Sequence, residues 1–131
     1  TSEGDERRAI DNIMTRLRSM VEETGAGIIL VSHLRRVDGN KGHENGIQVS
    51  LSHLRGSNSI AQLSDCVIAL ERNQQSTDPD ESRTTRMRIL KSRYTGDVGL
   101  ATSLIYDGDT GRLSEIVEDF DDLKGEAGEA F

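Results

Sequence analysis

The sequence predicts an α/β fold: a mainly parallel sheet flanked by helices, a C-terminal antiparallel hairpin and a disordered acidic tail. Three observations predict it. An amphipathic stretch over residues 5–24 runs straight into an unbroken apolar stretch over 27–31, which gives the order helix then strand. That apolar stretch does not alternate, the pattern of a strand covered on both faces. Further β-rich stretches follow towards the C-terminus, and the last is closed by turn residues, the pattern of a hairpin.

Each element has its own grounds. Ile10, Ile13, Met14, Leu17, Met20 and Val21 recur at three- and four-residue steps and make one apolar helical stripe. Asp5 and Glu6 suit the start of that helix and Gly25 its stop. Its other face carries Arg7, Arg8, Arg16, Arg18 and Glu22 and reads as solvated surface. Ile28 to Val31 form the first strand, and Ser32, His33, Leu34, Arg35 and Arg36 gather at its carboxyl end, where open α/β sheets bind ligands. Residues 35–48 are polar and glycine-rich, hence a loop. Ser57 caps a short helix to Asp65 whose apolar side is Ile60 and Leu63. Cys66 to Leu70 read as a second strand buried on both faces, and residues 73–83, with Pro79, as a surface loop. Thr85 to Leu90 and Ala101 to Tyr106 are the next strands, and Asp107-Gly108-Asp109-Thr110-Gly111 is a turn. Residues 115–131 have too few core formers to fold.

Composition bounds the function classes. The chain has 131 residues, one cysteine (Cys66), 34% hydrophobic residues and no run of the length a membrane-spanning helix needs. Its net charge of −7 argues at first against a nucleic-acid partner. The distribution reverses that. Residues 1–114 hold fifteen basic and sixteen acidic side chains, whereas residues 115–131 hold one lysine and seven acids. Residues 35–93 alone carry ten basic against seven acidic residues. The chain opens at Thr1 with no signal or transit segment, so a piece of a cytoplasmic protein is expected.

The residues that could carry chemistry cluster at strand ends and loops. His33, at a strand end, can bond a phosphate or an attacking water, or simply be held by backbone. Arg35, Arg36 and Lys41 lie on the glycine-rich loop, suited to a nucleic-acid phosphate chain or to solvent. No aromatic residues are interleaved there, so base stacking by this loop is not indicated. Arg55-Gly56-Ser57 precedes the short helix, either a plain cap or an anion site. Lys91 and Arg93 alternate at a strand end and share a face. They meet an anionic ligand, as an arginine finger does in phosphoryl transfer, or a salt bridge to Asp97 or Glu71. The chain lacks G-x-x-x-x-G-K-[ST], G-x-S-x-G, a Cys–His nucleophile pair and an apolar run ending in Asp before the first helix, where a magnesium-binding carboxylate would be expected.

Taken together, four segments carry a resemblance. S-H-L-R-R at 32–36, L-R-G-S-N-S-I-A-Q-L-S-D at 54–65, I-A-L-E-R-N-Q-Q at 68–75 and R-I-L-K-S-R-Y-T-G-D-V-G at 88–99 resemble the replicative helicases of short-tailed phages. These bifunctional primase–helicases are related to the mitochondrial helicase Twinkle and more distantly to DnaB. The resemblance spans Asp5 to Leu113.

It implies a RecA-like core that assembles into a ring, usually a homo-hexamer. Such a ring hydrolyses a nucleoside triphosphate (ATP or dTTP, with Mg2+) between subunits and moves along single-stranded DNA. Residues 1–114 would be the second half of that core, with the phosphate loop, the magnesium-binding Asp and the catalytic Glu upstream of them. His33 matches the family's phosphate sensor. Arg35, Arg36 and Lys41 fall on its DNA-binding loop, where Gly39 replaces a frequent Lys. Gln62 matches a polar residue of the helix after the second central-channel loop, with Ala61 where a basic residue is common. Arg93 matches the arginine finger acting on the neighbour's triphosphate, assisted by Lys91. Arg72 and Tyr106 match residues that sandwich the nucleotide base. The tail, residues 115–131, resembles a docking segment for the replicative polymerase with Phe131 as anchor. The expected location is the cytoplasm of a phage-infected bacterium. Two other classes share parts of this pattern: a recombinase-like RecA-type ATPase fragment, and a non-catalytic interaction module that recruits a partner through its tail.

Overall fold

The computed structural model describes residues 3–35, 46–54 and 58–116. Helix α1 (Glu3–Thr24) forms where the apolar stripe predicts it. It stops at Gly25, whose φ of 70° is left-handed and whose N–H donates to the Val21 carbonyl at 2.9 Å. The stripe is narrower than expected. Met14 is buried, Leu17 and Val21 are half-buried, and Ile13 and Met20 are exposed.

The remaining elements are α2 (Ser59–Leu63), β1 (Cys66–Arg72), α3 (Pro79–Ser82), β2 (Thr84–Ser92), β3 (Gly99–Asp107) and β4 (Arg112–Glu115). The four strands form one sheet in the order β1-β2-β3-β4, each pair antiparallel. The α/β class and the C-terminal hairpin are as expected. The hairpin turn at 107–111 is tied by the Gly111 N–H to the Asp107 carbonyl at 2.8 Å. The Asp107 carboxylate accepts the Asp109 N–H at 2.9 Å, and that bond and the Thr110 hydroxyl hold its pKa below the usual carboxylate value.

Three local expectations need correcting. First, the parallel part of the sheet is absent among the described strands. Residues 27–31 are unpaired, and Ile29 and Val31 are 97% and 88% exposed rather than buried. A strand is a relation between two segments, and no described segment pairs with this one. Second, β1 is covered on one face only. Val67, Ala69 and Glu71 turn inward, while Cys66, Ile68 and Leu70 are exposed. No described strand lies beyond β1 in the sheet. Third, the loop over 73–83 contains the single-turn helix α3. Asp78 caps it by accepting the Asp80 N–H at 3.0 Å, and Pro79 occupies the first turn, where its missing N–H costs nothing.

The small core gathers Met14 from α1, Val49, Ile60 from α2 and Ala69 from β1. Residues 46–49 reach β1 because Gly46 has a φ of 80° and no side chain. A Cβ there would stand 2.9 Å from the Asn73 Cβ. Val49 then donates its N–H to the buried Glu71 carboxylate at 2.6 Å. Glu71 is also paired with Arg88 of β2 through Nε at 2.9 Å and Nη2 at 3.2 Å. No described helix is long and apolar enough to cross a membrane.

Candidate functional site

At the carboxyl end of β2 the two predicted cations come together with the end of α2. Lys91 pairs across the sheet with Val67, and its Nζ donates to the carbonyls of Ala61 at 2.6 Å and Gln62 at 3.2 Å. These are last-turn carbonyls of α2, the negative end of the helix. Arg93 follows β2. Its backbone N–H donates to the Asp65 carbonyl at 2.8 Å and its Nη1 to Asp65 Oδ1 at 2.8 Å, with Nη2 3.5 Å from the Gln62 carbonyl. The acid that meets Arg93 is therefore Asp65, not Asp97 or Glu71.

Asp65 has a second cation. Arg18 of α1 places Nη1 3.0 Å from each Asp65 oxygen, and its Nε donates to Glu22 at 3.1 Å. Those two carboxylates raise the Arg18 pKa further above its ordinary value, with the Asp65 bond the larger cause. Sequence reasoning placed Arg18 on solvated surface. Its signal was spacing: Arg18 stands four residues after the buried Met14, on the margin of the apolar stripe.

The segment after the exposed run is tied down at its base. Leu34 bridges to Leu54, the Arg35 N–H donates to the His53 carbonyl at 2.8 Å, and Arg35 Nε donates to the Ser52 carbonyl at 2.7 Å. So residues 33–35 and 52–54 leave the same point of the structure, and His33 is exposed beside them. Arg36, Lys41, Arg55 to Ser57 and Phe131 lie outside the described residues. Gln62 is exposed on α2.

The two residues expected at a nucleotide base lie at the other end of β2. Arg72 faces Thr85, and Thr85 faces Leu104, so those three share one side of the sheet. Alternation puts Tyr106 on the same side as Leu104. Both Arg72 and Tyr106 are exposed, Tyr106 at 40%. Arg72 Nη2 lies 3.5 Å from Gln74 Oε1. The nine residues of β2 separate this pair from Arg93 by about 27 Å at ~3.4 Å per step.

Among the described residues no group of three or more His, Cys, Asp or Glu is placed to hold a metal ion. The described residues therefore offer no acid cluster for a Mg2+ ion. An anion does fit: Lys91 and Arg93 bring positive charge to one strand end, and Arg93 is 41% exposed.

Comparison with known proteins gives a consistent result. The sequence profile of the DnaB-like helicase C terminal domain matches residues 1–115. The chain is 43% identical over 113 residues to a DNA helicase/primase of Enterobacteria phage T3. That match covers 86% of this chain and 19% of the relative, so the chain spans about a fifth of that protein's length. The chain belongs to the DnaB-like helicase C-terminal domain family.

Proposed function

We propose that this chain is the second half of the motor core of a replicative DNA helicase, the part that couples nucleotide hydrolysis to single-stranded DNA. In this reading residues 1–114 complete a RecA-like NTPase domain whose phosphate loop and Mg2+ ligands lie in the other half. When bound, Mg2+ would neutralise triphosphate charge. Arg93 supplies positive charge to the phosphoryl group in the transition state, with Lys91 holding the strand end against α2 beside it. Arg72 and Tyr106 clamp the base. His33 senses the terminal phosphate. Arg35, Arg36, Lys41 and Gln62 meet DNA phosphates, and the tail, 115–131, docks the replicative polymerase with Phe131 as anchor.

One observation carries this reading. Arg93 and the Arg72–Tyr106 face stand at opposite ends of β2, about 27 Å apart along the strand at ~3.4 Å per residue. In this reading one chain serves two nucleotides: it holds the base of one and offers Arg93 to another. Neighbouring copies in a ring satisfy that requirement, and a monomeric ATPase does not. The common base of residues 33–35 and 52–54 supports the sensor role, because it ties the segment beside His33 to residues 52–54.

Two measurements test it in the chain joined to the upstream part of a helicase of this family. Hydrolysis should require ring assembly and rise with single-stranded DNA. His33→Ala should abolish the DNA stimulation while leaving nucleotide binding in place, and undiminished stimulation would remove His33 from the sensor role. Deleting residues 117–131, beyond β4, should leave unwinding intact and weaken polymerase binding in a pull-down. Equal polymerase binding without the tail would refute docking.

A further inference from the structure

We propose that Asp65 is the positioning residue for Arg93, holding its guanidinium in place for the triphosphate of a neighbouring subunit. The inference rests on the reading of Arg93 given above and adds the group that aims it. Two bonds from one residue fix Arg93: the Asp65 carbonyl takes its backbone N–H at 2.8 Å, and the Asp65 carboxylate takes Nη1 at 2.8 Å. The first sets where the side chain leaves the strand end. The second sets which way the guanidinium turns.

The edge left over is the useful one. A guanidinium grips a phosphate in bidentate fashion with two adjacent N–H groups. Asp65 occupies Nη1, the Gln62 carbonyl lies 3.5 Å from Nη2, and Nε of Arg93 has no partner among the described residues. The Nε side of the fork therefore remains available to an oxyanion.

Asp65 is itself immobilised. Arg18 Nη1 contacts both carboxylate oxygens at 3.0 Å, and Glu22 holds Arg18 Nε at 3.1 Å. A relay Glu22–Arg18–Asp65–Arg93 thus runs from α1 across the start of β1 to the end of β2. Two carboxylates and two guanidinium groups make the relay neutral overall, and Lys91 adds the positive charge at this strand end. Asp65 also lies two residues beyond α2, whose last carbonyls hold Lys91. A displacement of α2 would move the anchor and Arg93 together.

The test uses the assembled enzyme carrying this chain, and the 131-residue chain itself. Asp65→Asn keeps the volume and removes the charge. It should lower kcat for hydrolysis by at least ~10-fold, with KM for nucleotide changed by less than about 2-fold, because Arg93 acts in the transition state. Asp65→Glu, which restores the carboxylate, should recover most of the loss. In the Arg93→Ala background Asp65→Asn should cost nothing further, since the two act as a unit. In the chain alone, the Arg93 Nε–H nuclear resonance should be sharp in the wild type and exchange-broadened in Asp65→Asn. Unchanged or increased kcat in Asp65→Asn would overturn the proposal. So would an equal loss in the Arg93→Ala background, which would mark Asp65 as a structural staple. If Arg93→Ala keeps full hydrolysis while the resonance still depends on Asp65, the reading of Arg93 fails and the anchor remains.

Discussion

Replacing Arg93 by Ala should cut nucleotide hydrolysis by on the order of 10³-fold or more, the scale of a missing arginine finger. Nucleotide binding should survive. Arg93 sits at the strand end away from the Arg72–Tyr106 face, so its loss should leave the proposed base clamp of the same chain untouched. A filter-binding or fluorescent-nucleotide titration beside a phosphate-release assay separates the two quantities. A matching drop in affinity would mean that Arg93 binds the ground state rather than the transition state. Arg93→Lys should recover little, because an ammonium cannot use one edge on Asp65 and another on phosphate.

Replacing Arg88 by Ala should destabilise the folded chain by about 3–5 kcal/mol, the cost of stranding a buried charge. Glu71 is 3% exposed and Arg88 17%, so water screens this pair poorly. The loss is concentrated on Glu71, which also binds the Val49 N–H and so joins the segment 46–49 to β1. Removing both charges as Glu71→Gln with Arg88→Met should cost less than Arg88→Ala alone, since no bare carboxylate remains. Urea unfolding followed by circular dichroism reads both. A cost below about 1 kcal/mol for Arg88→Ala would show that the pair behaves as an exposed one.

Much of the fold could be read from local pattern. Helix α1 announced itself by spacing and by Gly25, and the turn at 107–111 by Asp, Gly and Thr. These are properties of contiguous residues. That 27–31 stands unpaired among the described residues was not legible, because four apolar residues favour a strand without specifying a partner. The one-sided cover of β1 was hidden for the same reason. At the site, Arg93 and Lys91 could be singled out by alternation at a strand end. Asp65 could not, since it meets Arg18 across 47 positions and Arg93 across 28. Ion pairs of that separation follow from topology, and the sequence offered nearer acids, Asp97 and Glu71, that the geometry does not use for Arg93.

The central claim of the proposed function is that Arg93 acts on a nucleotide held by another copy. Mixing subunits tests this most directly. One subunit carries Arg93→Ala with an intact phosphate loop, and the other carries intact Arg93 with its phosphate loop disabled. Each alone should be inactive. Mixed rings should regain hydrolysis, because some interfaces then pair an intact phosphate site with an intact Arg93. Mixtures as inactive as the separate variants would contradict it and place Arg93 on its own chain's nucleotide.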